Sequence, residues 1–246
     1  MPRVYISPAE WPQERIRLAP EPAHHLLNVL RCRAGDPVTI FDGRGHEAGA
    51  RVADTGRGTA VLEVGARSEQ PPPRVAIVLV QALPKAQKMD LIVQKATELG
   101  ASAVQPVSTA RSLLRLDGEP ALERVRRWQK IAIGAAEQCG TLWVPQVEPI
   151  RDLASFLEAD HGCVPLLLAS LAPDARPMAA ALREIRPGGR QRVGILIGPE
   201  GDLTPEEVQA ARQAGAVAVS FGSRVLRTET AALYALSVLD YELRRD

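Results

Sequence analysis

Two short segments near the C-terminus hold most of the side chains of this 246-residue chain that could do chemistry together. Residues 226–230 read Leu-Arg-Thr-Glu-Thr, so a guanidinium, a carboxylate and two hydroxyls follow one another. Residues 195–201 read Ile-Leu-Ile-Gly-Pro-Glu-Gly and place a second carboxylate, Glu200, between two glycines. A guanidinium can neutralise an anion, a carboxylate can hold a proton, and glycine lets a ligand approach the backbone closely. These segments are therefore the first candidates for a site.

Each segment also has a purely structural interpretation. Gly-Pro-x-Gly is equally typical of an ordinary strand-to-helix turn. In the second segment, Thr228 can cap a helix and Glu229 is favourable beside the positive end of a helix dipole. Arg227 is not explained in this way, because its charge is unfavourable at a helix N-terminus unless it faces an anion or a carboxylate. We therefore favour a function for Arg227, with an ion pair to Glu200 as the structural alternative.

Both segments follow apolar runs that are typical of buried strands, in a region where strands and helices alternate. This alternation predicts an α/β domain with a mostly parallel sheet. Ligands bind at the carboxyl ends of such strands, which is where both segments fall. The predicted strands are 75–80, 103–107, 164–169, 193–197 and 217–221, and the predicted helices are 88–99, 120–139 and 230–243, with a capping box at 204–207.

Residues 1 to about 70 follow a different pattern of short alternating strands separated by glycines. Strands are predicted at 38–41, 47–52 and 59–64, with one helix at 24–31. Short strands with a single helix favour a small β-barrel. A stiff proline run at 71–73 follows, and we place the domain boundary there.

Several common kinds of site are excluded by the sequence. The turn after the first strand of the α/β region has no glycine, so the usual dinucleotide cradle is missing, and the chain has no P-loop. Its three cysteines lack metal-binding spacing, and no third ligand lies near His24 and His25. We therefore expect no metal, and we expect all three cysteines to pack in the core.

Composition limits the partners of the protein. A net charge of +1 gives no overall basic signal, so contact with a nucleic acid needs a local patch. One candidate patch begins at Arg111 and Arg115 and continues into a basic helix, although such a run is more often a solvated helix face. The chain shows neither a signal peptide nor an apolar run of membrane length, which predicts a soluble, cytoplasmic protein.

Further stretches join the two C-terminal segments in a recognisable order. They lie at 24–33 with Phe41-Asp42-Gly43, at 82–85, at 88–90, at 94–100 and at 124–140. Any one alone is weak evidence, but together they span nearly the whole chain. The set resembles the RsmE family of ribosomal RNA uridine N3-methyltransferases, within the SPOUT superfamily.

The resemblance implies a fold that periodicity does not predict. Residues 1–70 would form a PUA-like β-barrel that binds RNA, and residues 74–246 a SPOUT methyltransferase domain of α/β class with a deep C-terminal trefoil knot. The cofactor would be S-adenosylmethionine, bound in the knotted loops without a metal. The enzyme would be a homodimer with active sites at the subunit interface. Its substrate would be a uridine of 16S ribosomal RNA, free or within the 30S subunit.

The same resemblance implies a set of site residues. Four arginines would contact RNA phosphates, which is the common way to position RNA without reading its sequence: Arg31, Arg33, Arg111 and Arg115. The cofactor pocket would be formed by Leu171, Leu196, Ile197, Gly198, Gly201, Leu226, Arg227 and Thr230.

The chain departs from the family pattern at two places. Asp202-Leu203 stands where Gly-Phe is usual, and Ser223 stands where Pro is usual. Neither change removes a group with an evident catalytic role, but Asp202 adds a charge beside the site.

The implied reaction suggests roles for three residues. Uridine N3 carries a proton, so methyl transfer needs a base or a group that stabilises the anion. Arg227 would stabilise negative charge on the uracil carbonyls, and Glu229 or Glu200 would accept the proton or orient the ring.

Three other functions fit less well. A non-catalytic RNA-binding assembly factor would not need the intact glycines and the Arg-Thr-Glu-Thr loop. A SPOUT enzyme for a ribose 2′-hydroxyl or a transfer RNA base is disfavoured by the match in the N-terminal segment. A metabolic α/β enzyme would not need the added barrel. Cofactor binding and the position of the methylated atom distinguish these functions.

Overall fold

The computed structural model describes residues 1–11, 13–56, 58–85, 88–112, 118–185 and 191–244. The chain divides into two compact units. The first contains Met1–Pro72 and Ile133–Val144, and the second contains Pro73–Ala132 and Pro145–Asp246. The fold is mixed α/β, with a separate sheet in each unit.

The described part of the first unit forms one five-stranded sheet beside a short helix. Its elements are β1 (Arg3–Tyr5), β2 (Arg15–Arg17), α1 (Pro20–His24), β3 (Pro37–Phe41), β4 (His46–Gly56) and β5 (Thr59–Glu69). The sheet order is β1-β3-β4-β5-β2, in which β1 and β3 run parallel and the other neighbours antiparallel. Its buried core includes Ile16, Leu26, Ile40 and Leu62. The strands predicted at 38–41, 47–52 and 59–64 are confirmed.

The helix predicted at 24–31 differs from the structure. An α-helix begins earlier, at Pro20, because proline at the first helical position has a suitable φ and needs no hydrogen-bond acceptor. It is followed by a π-helical turn at His25–Val29, which buries Leu26. The turn ends before Arg31, whose φ of 57° is left-handed.

Residues 133–144 add a second, smaller core to the first unit. Phe41 is fully buried there with Ala136 and Leu142. The backbone N–H of Tyr5 donates to Glu137 Oε1 at 3.0 Å. Burial raises the pKa of the Glu137 carboxyl, although that hydrogen bond and nearby His25 oppose the rise. The composition change at the proline run does not reveal this contribution from a distant segment.

The second unit is an α/β domain. Its strands are β6 (Val75–Ala82), β7 (Ala103–Ser108), β8 (Gln146–Val147), β9 (Arg151–Asp152), β10 (Leu166–Ala169), β11 (Arg176–Pro177), β12 (Gln191–Ile197) and β13 (Val217–Ser220). Its helices are α2 (Lys88–Glu98), α3 (Gly118–Cys139, shared with the first unit), α4 (Leu153–Glu158), α5 (Met178–Arg183), α6 (Pro205–Gln213) and α7 (Thr228–Leu243).

All described strand pairs of this sheet are parallel. The order is β11-β13-β10-β12-β6-β7-β8, with β9 paired to β7. The late strand β12 lies between β10 and β6, and its last five residues are all buried, as expected for a central parallel strand. The predicted parallel sheet is therefore confirmed, and the carboxyl ends of β13, β10, β12 and β6 lie side by side.

Local sequence signals explain the helix boundaries. Thr204 and Glu207 form the predicted capping box at the start of α6. Gly100, two residues after α2, has the left-handed φ of 74° that favours glycine at a helix end. Cys32 and Cys163 are buried as predicted, but the prediction for Cys139 is wrong: it is exposed, because it lies in the last helical turn before Gly140.

Arg244, just after α7, holds the end of that helix against the sheet. Its guanidinium donates to Val75 O at 3.0 and 3.2 Å, to Gly100 O at 2.8 Å and to Asp240 Oδ1 at 3.0 Å, and its side chain is only 18% exposed. We predict that Arg244→Met lowers the free energy of unfolding by about 2–3 kcal/mol, since it removes charged hydrogen bonds to several acceptors at once.

Chemical denaturation of the purified variants tests this prediction. Arg212→Met is the matched control, because Arg212 makes an exposed surface ion pair with Asp174. Equal stability of the Arg244 variant and the wild type would contradict the proposed anchoring.

Candidate active site

A cavity of about 310 Å³ opens at the carboxyl ends of β10, β12 and β13. The three strands are adjacent in the sheet, so the loops that follow them converge. Residues 169–171, 197–200, 221–222 and 224–228 form most of the wall, together with Asp202 and Ala231. This size falls near the lower limit of ligand sites, roughly 300–1,000 Å³.

The structure brings six of the residues expected at the site together around this cavity: Leu171, Ile197, Gly198, Glu200, Leu226 and Arg227. They come from the end of β12 and from the loops that follow β10, β12 and β13, and Arg227 is solvent-exposed. The remaining residues expected to bind the cofactor lie outside the wall. Leu196 is fully buried within β12, Gly201 packs against the stem of Arg111, and Thr230 is exposed in the first turn of α7.

The loop after β12 turns back on itself. The N–H of Asp202 donates to Pro199 O at 3.0 Å, and Asp202 has a left-handed φ of 60°. Its Oδ1 accepts a hydrogen bond from Leu203 N at 2.8 Å. A Cβ added at Gly198 would lie 3.2 Å from this oxygen, so the closeness of the turn favours glycine at 198.

Thr228 joins three elements at the floor of the site. Arg227, not Thr228, occupies the N-cap position of α7, and no side-chain hydrogen bond caps the helix. The capping interpretation of Thr228 is therefore wrong. Its buried hydroxyl instead donates to Gly198 O at 2.7 Å and accepts from Gln81 Nε2 at 3.0 Å. A hydroxyl has only one proton to donate, so Gln81 must present its amide nitrogen here.

This arrangement predicts that Thr228 anchors the loop after β12. Thr228→Val keeps the shape of the side chain but leaves Gly198 O and the Gln81 amide without this partner, so we expect a loss of about 1–3 kcal/mol in unfolding free energy. Thermal or denaturant unfolding measures it, and Thr228→Ser, which restores the hydroxyl, should recover most of the loss. A serine variant as unstable as the valine variant would show that the methyl group, not the hydroxyl, stabilises the fold.

Lys88, at the start of α2, links the two candidate carboxylates. Its Nζ lies 3.0 Å from Glu200 Oε1 and 3.0 Å from Glu229 Oε2. Both Glu200 oxygens also accept from the backbone N–H of Lys85 at 3.1 Å. Glu200 is therefore paired with Lys88, and the alternative of an ion pair between Glu200 and Arg227 is not found among the described contacts.

The pKa values of the three groups follow from this cluster. Hydrogen bonds to Glu229 and then Glu200 raise the pKa of Lys88. Burial alone would raise the pKa of each carboxyl, but backbone hydrogen bonds and the Lys88 ammonium outweigh it, so the pKa values of Glu200 and Glu229 are lowered. Arg227 contributes to the lowering at Glu229. Both carboxylates are thus held ionised.

Sequence reasoning did not assign Lys88 or Gln81 to the site. A signal for Lys88 was present, because a cation in the first turn of a helix is unfavourable without an anion nearby, which is the argument that singled out Arg227. Gln81 gives no comparable signal, since only the completed sheet shows that its amide reaches a residue 147 positions away.

Two family patterns match the chain. The pattern described as an RNA methyltransferase domain covers residues 70–240, and the pattern described as an RNA methyltransferase PUA domain covers residues 19–65. Ribosomal RNA small subunit methyltransferase E from Bacillus subtilis (strain 168) is 34% identical over 90% of this chain and 88% of the relative. The protein of that name from Synechocystis sp. is 33% identical over 97% and 77%, respectively.

This chain belongs to the ribosomal RNA small subunit methyltransferase E family. The predicted family is thus confirmed, as are an RNA methyltransferase domain and a PUA domain. The protein of the same name from Neisseria gonorrhoeae, solved bound to S-adenosyl methionine, is 34% identical with a TM-score of 0.85, covering 98% of this chain and 97% of that one. A methyltransferase from Legionella pneumophila, solved with bound SAM, is 32% identical with a TM-score of 0.86, covering 97% and 96%.

The arginines expected to bind RNA in this family member lie in different units. Arg31 and Arg33 are exposed in the first unit, where the Arg33 N–H donates to Asp36 Oδ2 at 2.7 Å. Arg111 is exposed in the second unit, and its guanidinium donates to Gly201 O at 2.7 Å. Arg115 lies outside the described residues.

Two kinds of feature are absent from the described ranges. No group of three or more His, Cys, Asp or Glu side chains there could hold a metal ion. No helix described in the structure has the length and apolar character needed to cross a membrane.

Proposed function

We propose that this protein transfers a methyl group from S-adenosylmethionine to N3 of a uridine in 16S ribosomal RNA. The observation that carries the proposal is the cavity itself. It lies at the carboxyl ends of three parallel strands, and six residues expected at the site from the family resemblance line it. Family membership and the cofactor-bound relatives support the same reaction.

The residues around the cavity fit the cofactor. Leu171, Ile197 and Leu226 offer apolar wall to an adenine, and the backbone around Gly198 offers hydrogen-bonding groups. Glycine at 222, where φ is 105°, allows the opposite loop to turn without a side chain. When bound, S-adenosylmethionine supplies an electrophilic methyl group on a positively charged sulfur.

The side chains of this site then orient the uracil and stabilise its anion. Arg227, exposed at the cavity wall, would donate hydrogen bonds to a uracil carbonyl as negative charge develops during loss of the N3 proton. Glu200 and Glu229 were both candidates for accepting that proton. Their lowered pKa values make them weak bases, which favours a role in orienting Lys88 and the ring.

The knot and the dimer are also part of this proposal. Insertion of β12 between β10 and β6, followed by β13 on the far side of β10, supports a deep trefoil knot around the cavity. Exposed apolar side chains at Leu171, Val225 and Tyr234, at or near the cavity, support a homodimer with the active site at the subunit interface. A substrate in the small ribosomal subunit implies a cytoplasmic enzyme.

The arginines of the first unit give a testable prediction about RNA binding. If Arg31 and Arg33 contact phosphates, the double variant Arg31→Ala/Arg33→Ala should bind ribosomal RNA more weakly. The slope of log K, where K is the association constant, against log[salt] should become less steep by about one to two units. Fluorescence titration over a range of salt concentrations measures this slope. Arg15→Ala/Arg17→Ala, in exposed positions of β2, is the matched control. An unchanged slope in the Arg31/Arg33 variant would refute the phosphate contacts.

The reaction is tested directly by incubating the purified protein with labelled S-adenosylmethionine and small subunits from a strain that lacks the enzyme. Mass spectrometry of the nucleosides should show N3-methyluridine. Methylation at another atom or in another RNA would refute the proposed target. Absence of cofactor binding would favour a non-catalytic RNA-binding protein.

A further inference from the structure

Asp202 brings a negative charge to the cavity from a tight left-handed turn, at a position where glycine is usual in the family pattern. Its φ of 60° lies in the left-handed region, which glycine adopts freely and which aspartate and asparagine adopt more readily than other residues. The residue forms part of the cavity wall. A carboxylate that replaces the usual glycine at a cavity wall raises the question of what its charge does there.

Among the residues that the structure describes, no cation pairs with the Asp202 carboxylate. Its Oδ1 accepts a hydrogen bond from Leu203 N. The other acidic wall residue, Glu200, is paired with Lys88. The basic wall residues Arg224 and Arg227 come from the loop after β13. Asp202 is thus the unpaired acidic group of the described wall.

We propose that Asp202 makes the site prefer the methyl-bearing cofactor over the demethylated product. This inference rests on the proposed function. S-adenosylmethionine has a positively charged sulfonium, whereas S-adenosylhomocysteine has a neutral thioether in its place and is otherwise alike. A fixed carboxylate in the wall attracts the sulfonium and has no such interaction with the thioether. Asp202 therefore strengthens binding of the substrate form and promotes exchange of product for fresh cofactor.

The variant Asp202→Asn separates the charge from the loop geometry. Asparagine also tolerates the left-handed conformation, and its side-chain oxygen can still accept from Leu203 N. Isothermal titration calorimetry of the full chain with each ligand measures the two dissociation constants. We expect the constant for S-adenosylmethionine to rise about 3–10-fold and that for S-adenosylhomocysteine to change less than about 2-fold. Higher salt should reduce the difference between the two dissociation constants of the wild type, because it screens the charge of Asp202.

Glu206→Gln is the matched control, since it removes a carboxylate from the start of α6, outside the cavity wall, and should leave both constants unchanged. Equal weakening of both ligands by Asp202→Asn would overturn the proposal, because it would place the carboxylate near a group that both ligands share. No change in either dissociation constant would overturn it as well. Failure of the wild type to bind S-adenosylmethionine would instead refute the proposed function.

Discussion

Arg227→Ala should lower kcat for methyl transfer by about 10²–10³-fold, the loss typical of removing one donor that stabilises a developing anion. Arg227 lines the cavity and is solvent-exposed at the N-cap of α7, where no capping bond occupies its side chain. Because the proposed interaction forms with the uracil anion, kcat should fall far more than the affinity for RNA. Steady-state kinetics with small subunits, together with RNA-binding titrations, measure both quantities.

Two further variants make the Arg227 result specific. Arg227→Lys keeps the charge but loses the planar fork of donors, so its kcat should fall between those of the wild type and the alanine variant. Arg212→Ala removes a partly exposed arginine that pairs with Asp174 outside the cavity wall, and should leave kcat unchanged. Full activity and unaltered RNA affinity in Arg227→Ala would show that the anion is stabilised by another group.

Lys88→Met should reduce kcat/KM by about 10–100-fold. Removing the ammonium leaves Glu200 and Glu229 facing each other without the cation that both contact at 3.0 Å. Repulsion between the carboxylates should separate the loop after β12 from the start of α7, and a displacement of about 1 Å at an active site can cost about 10²-fold in rate. Lys95→Met is the matched control, because Lys95 on the same helix pairs with Glu98 instead. A comparable loss in both variants would indicate a general effect on α2.

The pH dependence of stability gives an independent test of the Lys88 cluster. The pKa of Lys88 is raised, so its contribution is fully present below the pKa of an unfolded lysine and is lost as the pH rises through the folded pKa. The carboxyl pKa values are lowered, so their contribution is present above the unfolded pKa and is lost as the pH falls through the folded value.

The stability difference between wild type and Lys88→Met should therefore be constant near neutral pH and shrink toward both acidic and alkaline pH. In the variant, the carboxyl pKa values should rise, which moves the acidic limb of the rate profile to higher pH. Urea unfolding and kcat/KM measured across the pH range check both expectations. If the stability difference between the wild type and Lys88→Met does not vary with pH, the stabilisation by Lys88 is not ionic.

The sequence predicts this sheet well where burial is complete. Residues 75–80 of β6 and 193–197 of β12 are continuous runs without charged residues because they are buried on both faces, and a strand of that kind is recognisable without its neighbours. Two-residue strands such as β8 and β11 carry no such pattern, since each needs a partner strand to exist. Local signals likewise place the capping box of α6, but they assign Thr228 the wrong partner.

At the candidate site too, the sequence predicts local features but not the contacts between distant segments. The loops after β12 and β13 are recognisable because glycine, arginine and glutamate are unusual together at strand ends. Contacts between these loops are not recognisable, because they depend on where β12 enters the sheet. Thr228 bonds Gly198 thirty positions away and Gln81 147 positions away, and no local pattern reports either contact.

The helix shared by both units makes the order of synthesis matter. Phe41 is made early, but Ala136 and Leu142, which bury it, lie on and after α3. A ribosome has therefore already produced β6, α2 and β7 before the first unit receives the residues that complete its packing. A gene cut at the proline run would yield an N-terminal fragment with an uncovered aromatic side chain, prone to associate with other chains. The two halves of this protein cannot mature one after the other; their assembly is interleaved.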